Sequence, residues 1–346
     1  MDINTLLNYL NNYNGRDVTF MEVCGTHTAS IAENAIPSLI SDKIHLISGP
    51  GCPVCVTVSA YVDKLCELAL NPDIVIVTFG DMIRVPGSVK ALQDIKADGA
   101  DIRMVYSPIE TLSMAEKEPG KTFIFAAVGF ETTTPIYALM IDQAIKKGIK
   151  NIKILTALKT MPEVISALCE KDNSIDGFIA PGHVAVITGS DAFYSLADKY
   201  KLPFAVSGFN GEEILAAIYA LIKMQNQGKV INLYKSVVKS GRNEKASHLV
   251  NKYFEPYDAA WRGLGIIKDS GLKLKNEYAF FDAGSAELTD DYSYSKGCCC
   301  SDIITGTKRP SECPLYGKIC TPENPKGACM VSNEGSCFNY LVNDRT

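Results

Sequence analysis

The 346-residue chain has no long hydrophobic run. Its longest apolar stretch, Phe123–Phe130, is interrupted by a glycine and falls far short of the ~20 residues that span a bilayer, so no membrane helix is expected. It has no basic surplus either. Against 39 Asp and Glu stand 34 Lys and Arg, a net charge of −5, which gives phosphate backbones little to attract and argues against a nucleic-acid partner. The opening Met1-Asp2-Ile3-Asn4 lacks the basic region and apolar core of a signal peptide, and the chain reads as cytoplasmic. There is no Walker loop and no Gly-x-Gly-x-x-Gly after a strand pattern, so nucleotide binding lacks its usual signature. Histidine is scarce at four residues. A 47% hydrophobic fraction beside 21% charged residues excludes a disordered chain and suffices for a sizeable core.

Cysteine is what the chain has in excess, with 12. A cytoplasmic protein does not keep ordinary structural disulfides, so this count points to metal or redox chemistry. Seven cysteines fall in the last 49 residues: Cys298, Cys299, Cys300, Cys313, Cys320, Cys329 and Cys337. Three more, Cys24, Cys52 and Cys55, lie in two glycine-flanked loops. Cys66 and Cys169 sit in helical patterns and read as small buried side chains.

Short runs rich in Val, Ile and Phe recur along residues 1–235: Val18–Val23, Ile44–Ile47, Ile74–Phe79, Arg103–Tyr106, Phe123–Val128, Ile152–Leu155, Gly177–Ala180 and Phe204–Val206. Each has the length of a buried strand. Helical patterns follow most of them, at Val58–Leu70, Pro135–Lys147, Pro162–Glu170 and Glu212–Gln225. Alternation of this kind predicts parallel sheets covered by helices. The expected fold is α/β, with two parallel-sheet domains facing a cleft (residues 1–120 and 121–235). A helical stretch, Val230–Tyr253, then leads into a Cys-rich C-terminal domain within 236–346. The tail is rich in Gly, Pro and Ser and is too poor in core residues to fold without a covalent or metallic organiser.

The polar motifs fall at strand ends, where open α/β sheets bind ligands. Glu22-Val23-Cys24-Gly25-Thr26-His27-Thr28 puts Cys24 where a strand gives way to a helix, a place that favours a thiolate, with His27 three residues on. The alternative is a cysteine in a turn, capped by Thr26 or Thr28. Gly49-Pro50-Gly51-Cys52-Pro53-Val54-Cys55 carries a C-x-x-C, whose sulfurs can form a disulfide or chelate a metal. Gly129-Phe130-Glu131-Thr132-Thr133-Thr134-Pro135 offers a threonine helix cap and, in Glu131, a proton donor or acceptor. Pro181-Gly182-His183 places a histidine at another strand end. His45 and His248 fit packing or surface roles. In the tail, four thiolates from loops match a cubane iron–sulfur cluster, with four-thiolate zinc as the competing reading.

Taken together, these motifs and their order resemble the HypD family of hydrogenase maturation factors almost end to end. The resemblance implies a scaffold on which the Fe(CN)2CO unit of [NiFe]-hydrogenases is assembled. The small chaperone HypC shares the iron and HypE delivers cyanide. It implies Cys24 as a direct iron ligand and Cys52 and Cys55 as a facing dithiol, able to bind iron or cycle through a disulfide. Cys298, Cys313, Cys320 and Cys337 are implied to hold a [4Fe-4S] cluster. Cys300 and Cys329 are implied to form the neighbouring redox pair, an arrangement similar to ferredoxin:thioredoxin reductase. His27, Glu131 and His183 are candidates for proton handling or cyanide binding. The chain departs from the family at Cys299, where a non-Cys residue is usual, and at Ser301, where Gly is usual. Cys299 therefore competes with Cys298 and Cys300 in these assignments. Outside the resemblance, two other classes remain: a stand-alone iron–sulfur thiol/disulfide oxidoreductase, and a zinc-stabilised binding module.

Overall fold

The computed structural model describes residues 2–171, 174–286, 288–292 and 295–343. Among them run eleven strands: β1 Val18–Glu22, β2 Ile44–Ser48, β3 Ile74–Thr78, β4 Ile102–Met104, β5 Thr122–Gly129, β6 Ile152–Lys159, β7 Gly177–Pro181, β8 Phe204–Ser207, β9 Val230–Asn232, β10 Phe254–Trp261 and β11 Gly265–Leu274. Every Val/Ile/Phe run read from the sequence overlaps a strand, although Arg103–Tyr106 shares only Arg103 and Met104 with β4. The architecture is α/β with two mostly parallel sheets and a Cys-rich C-terminal segment.

Sheet membership does not follow the two chain halves expected at 1–120 and 121–235. The first sheet has the order β2-β1-β7-β8-β9 and the second β10-β11-β6-β5-β3-β4. The chain thus leaves the first sheet after β2, builds β3 to β6 in the second, and returns with β7. The physical reason is a lateral pairing that periodicity cannot specify: β1 accepts β7 on the side away from β2, with Phe20 opposite Gly177 and Glu22 opposite Ile179. Helices cover both sheets, as parallel strands require. One core layer, with Phe20, Ile179, Ile218 and Leu221, lies outside the first sheet. Another, with Phe123, Phe125, Tyr137 and Ile141, lies outside the second. The largest core cluster joins Met21 and Phe178 of the first sheet to Ile124 and Leu155 of the second, and takes in Cys300, Cys329 and Val331 of the tail.

The stretch Val230–Tyr253 is helical only over Glu244–Tyr253. Its first residues form β9 beside β8, and Asn243 starts the helix by accepting from the Ala246 amide at 3.2 Å. The antiparallel pair β10–β11 was not expected. It turns through Gly263 and Gly265, at φ +75° and +78°, a backbone region that favours glycine. It then docks on β6, with Leu272 opposite Leu158. Among the described residues no helix is long and apolar enough to cross a membrane.

Trp261 closes β10 and is buried. Its Nε1 donates to Ser270 Oγ at 2.8 Å, and its ring stacks on Phe130 with centroids 6.0 Å apart. Trp261→Ala is expected to lower unfolding stability by ~3–5 kcal/mol, the usual cost of emptying an aromatic site. Urea denaturation followed by circular dichroism checks this, since the variant has no tryptophan left to report.

Candidate functional site

The parallel register places Glu22, the last residue of β1, opposite Ser48, the last of β2. The Cys24 and Cys52–Cys55 loops therefore leave the sheet side by side. Gly25 N donates to Gly51 O at 3.0 Å. A Cβ on Gly51 would lie 2.2 Å from Cys24 N, so only glycine permits this approach. Glu22 is buried and anchors the loop. Its carboxylate accepts from Cys24 N at 2.9 Å and from the Thr28 hydroxyl. Burial pushes its carboxyl up to about 7.

Cys24 caps the helix Gly25–Glu33 with extended backbone. Its thiol faces the amides of His27 and Thr26, yet it is pushed up to about 12. Burial is the main cause, and the carboxylates of Glu334 and Glu22 add to it. The thiolate expected at a helix N-terminus is thus outweighed here. Glu334 comes from the tail and packs against Gly25, where a Cβ would lie 2.3 Å from its own. Burial raises its carboxyl to about 6.

Cys52 and Cys55 are joined as a disulfide and buried, with Cα atoms 5.2 Å apart. In the tail, the sulfurs of Cys300 and Cys329 are 2.9 Å apart. Cys300 is drawn down to about 7, first by a hydrogen bond from Cys329 and also by the charge of Arg262. The two pairs are neighbours: Cys55 Sγ lies 4.0 Å from the carbonyl oxygen of Ala328, the residue before Cys329.

Six cysteines line one small cavity: Cys298, Cys300, Cys313, Cys320, Cys329 and Cys337. Gly327 lets the backbone approach, since a Cβ there would lie 2.7 Å from Cys298 Sγ. The Lys326 amide donates to Cys320 Sγ at 3.3 Å. Cys299 does not line the cavity. Its thiol donates to Gly297 O at 3.7 Å and lies 3.8 Å from Lys308 Nζ. Among the described residues no three His, Cys, Asp or Glu side chains form a ready-made metal group. The donor chemistry nonetheless fits an iron–sulfur cluster, because several soft sulfurs face one enclosed space.

The remaining candidates lie apart from the sulfurs. His27 is buried, its Nε2–H donates to Gly208 O at 2.9 Å, and Nδ1 has no partner. Burial lowers it to about 4. Its ring and that of His183 both pack on Phe209, with centroids 4.9 and 4.0 Å away. Glu131 Oε1 accepts from Met161 N at 2.8 Å, while its buried Oε2 has no partner. Burial raises its carboxyl to about 7. The expected threonine cap of the helix Thr134–Lys147 is not formed: Thr133 makes no capping bond, and Thr134 Oγ1 donates back to Phe130 O. A groove of about 690 Å³ runs along the outer edge of β2, and no cysteine lines it.

Sequence reasoning gave no role to Glu22, Glu334, Lys159 or Arg262. Glu22 was visible as the acid just before Cys24. Glu334 has no local signal. Lys159 is buried at the end of β6, donates to Ala260 O at 2.7 Å, and is lowered to about 7 by burial. Arg262 stands in the β10–β11 turn, donates to Thr57 O just past the Cys52–Cys55 loop, and its charge acts on Cys300.

Comparison with known proteins places the chain in a family. The family described as HypD, "Hydrogenase formation hypA family", matches residues 2–343. A putative hydrogenase expression/formation protein of Methanocaldococcus jannaschii is 41% identical over 321 residues, covering 92% of this chain and 89% of the relative. The hydrogenase maturation factor HypD of Azotobacter vinelandii is 39% identical over 342 residues, covering 95% and 90%. That of Escherichia coli is 37% identical over 332 residues, covering 93% and 88%. The chain belongs to the HypD family of hydrogenase maturation factors.

Proposed function

We propose that this chain is the cytoplasmic scaffold and redox protein on which the Fe(CN)2CO unit of a [NiFe]-hydrogenase is built. A HypC-type chaperone shares the iron and a HypE-type protein donates cyanide. The observation that carries this reading is the placement of Cys24, Cys52–Cys55 and Glu334 at one end of the first sheet, with the tail sulfurs next to them. Cys24 supplies a soft ligand to the substrate iron, and iron binding displaces the thiol proton. Two buried carboxylates beside that sulfur favour a cation over a neutral ligand.

Cys298, Cys313, Cys320 and Cys337 would hold a [4Fe-4S] cluster, which supplies one-electron redox chemistry when bound. Cys300 and Cys329 then act as a dithiol. One of these thiols attacks a sulfur of Cys52–Cys55, forming a mixed disulfide. The other closes the Cys300–Cys329 bond and frees the loop dithiol. Two electrons and two protons pass to the loop. Glu131, with its buried carboxyl raised to about 7, is suited to hold a proton near neutrality. His27 is set as a neutral imidazole, and His183 lines the same strand ends. A stand-alone oxidoreductase accounts for the Cys300–Cys329 pair but leaves the acid-flanked Cys24 without a role.

Infrared spectra of the protein co-purified anaerobically with its small chaperone should show cyanide and carbonyl stretches. These should vanish in Cys24→Ala, and their persistence there would remove Cys24 from the iron. Anaerobic Cys299→Ser should keep thiolate-to-iron absorption and about four irons per chain, whereas Cys298→Ser should lose both. The reverse result would make Cys299 the ligand, and zinc alone would exclude the cluster.

Glu131 also makes a pH prediction. In the folded chain it keeps its proton to about 7, but the unfolded chain releases it near 4.5. Its contribution is therefore complete below pH 4.5 and is lost as pH rises through 7. Glu131→Gln should match the wild type at low pH and be more stable above pH 7 by about 1–3 kcal/mol. Urea titrations at pH 4.5 and 8 measure the difference, and a pH-independent offset would refute the assignment.

A further inference from the structure

Arg262 is buried, with 6% of its surface exposed, and lies in no ligand motif. Its Nε and one terminal nitrogen both donate to Thr57 O, at 3.0 and 2.7 Å. Its own backbone N–H donates to Val56 O at 2.9 Å. The other terminal nitrogen pairs with Asp291 Oδ1 at 3.4 Å. The next residue, Gly263, packs against Ser301, where a Cβ would lie 2.7 Å from the serine Cβ. A cavity of about 70 Å³ separates Arg262 from Cys298, Cys300 and Lys326. One turn thus ties the end of the Cys52–Cys55 loop to the segment that carries Cys300.

The loop needs that tie. Between Cys52 and Thr57 it makes a single tight turn, held by Val56 N to Cys52 O at 3.2 Å, Thr57 N to Val54 O at 3.3 Å and Thr57 Oγ1 to Pro53 O at 2.8 Å. The next helix begins only at Ser59, after an extended Val58. The carbonyls of Val56 and Thr57 therefore emerge from the turn with no helix to receive them, and Thr57 is fully buried. A buried carbonyl without a donor is costly, so removing the guanidinium would release the turn.

We propose that Arg262 is a positioning residue that sets the redox balance of Cys52–Cys55. By clamping the far end of the turn it keeps the two sulfurs facing each other. This raises the effective concentration of each thiol for the other and favours the disulfide over the dithiol. Asp291 pairs with the buried charge, and the effect on this loop is one of geometry. The proposal rests on reading Cys52–Cys55 as a redox couple and is independent of what the iron carries.

The test is a redox titration of the full-length protein in glutathione buffers. Each protein disulfide takes two electrons and two protons from two glutathione thiols, which leave as glutathione disulfide. Alkylation and mass spectrometry of the tryptic peptide Ile44–Lys64, which holds Cys52 and Cys55 and no other cysteine, read the oxidised fraction. Arg262→Gln should shift the equilibrium towards the dithiol about tenfold, roughly 30 mV, at unchanged far-ultraviolet circular dichroism. Arg262→Lys keeps the charge but loses the fork, and should fall between Arg262→Gln and the wild type. Trp261→Phe, which disturbs the same turn but not the clamp, should titrate like the wild type. A shift in Arg262→Gln below about threefold, or an equal shift in Trp261→Phe, overturns the proposal while leaving the redox couple standing. A wild-type loop that does not titrate overturns both.

Discussion

Because β1 and β2 run parallel with their last residues opposite each other, both loops that follow must leave the sheet at the same end. Antiparallel pairing would have sent them to opposite ends. Everything that brings sulfur together on this side depends on that register and on the absence of a side chain at Gly51, which lets the two loops touch. The return of the chain to β7 and β8 then adds His183 and the Gly208–Phe209 corner to the same edge of the first sheet. A one-residue slip of β1 against β2 would swap the faces of its side chains and send Phe20 and Glu22 to the opposite side of the sheet. The buried core of the first sheet therefore fixes the site as well as the fold.

The electrostatics of the Cys24 corner are unusual for a stable resting protein. A thiol and two carboxyl groups are buried together, and the strongest charges acting on the sulfur are both negative. Each of the three is accordingly raised towards its neutral form. A site built only for stability would place a cation or an apolar group here. Buried acids around a soft donor are what the proposed binding of a cationic iron would call for. The tail pair differs. There the hydrogen bond from Cys329 and the charge of Arg262 both draw Cys300 down.

The strands were legible because buried parallel strands are short runs rich in Val, Ile and Phe. Their partners were not, since β1 carries no mark saying that it pairs with a strand more than 150 residues later. The β10–β11 pair was hidden for a related reason: Glu255, Pro256 and Asp258 dilute its apolar pattern, and the signal lay in the two turn glycines. Val230–Lys239 looked helical, but β9 gains more by pairing with β8 than a short polar helix gains from propensity. In the site, the cysteines could be read because their number is anomalous. Glu334 and Arg262 could not, since each acts through a contact with a distant loop. Cys299 was ambiguous by position; unlike Cys298 and Cys300, it does not line the shared cavity.

The tail has little hydrophobic material of its own, and it is held by borrowing. Ile303, Met330 and Val331 are buried in the core cluster that joins the two sheets. Arg84, beyond β3, grips it by donating to Pro322 O at 3.0 Å and to Val331 O at 3.2 Å. Gly263, in the hairpin that docks on β6, packs on Ser301 from the other side. These two anchors start from the second sheet, while Glu334 packs on Gly25 and Gly306 on Met21 and Ile47 of the first. The tail is thus a brace between both sheets, and it sets the sulfur pairs where the three meet. Such a device needs the two layers and the tail in a single chain, because a separate tail would have too little surface to fix sulfur atoms to within a bond's reach.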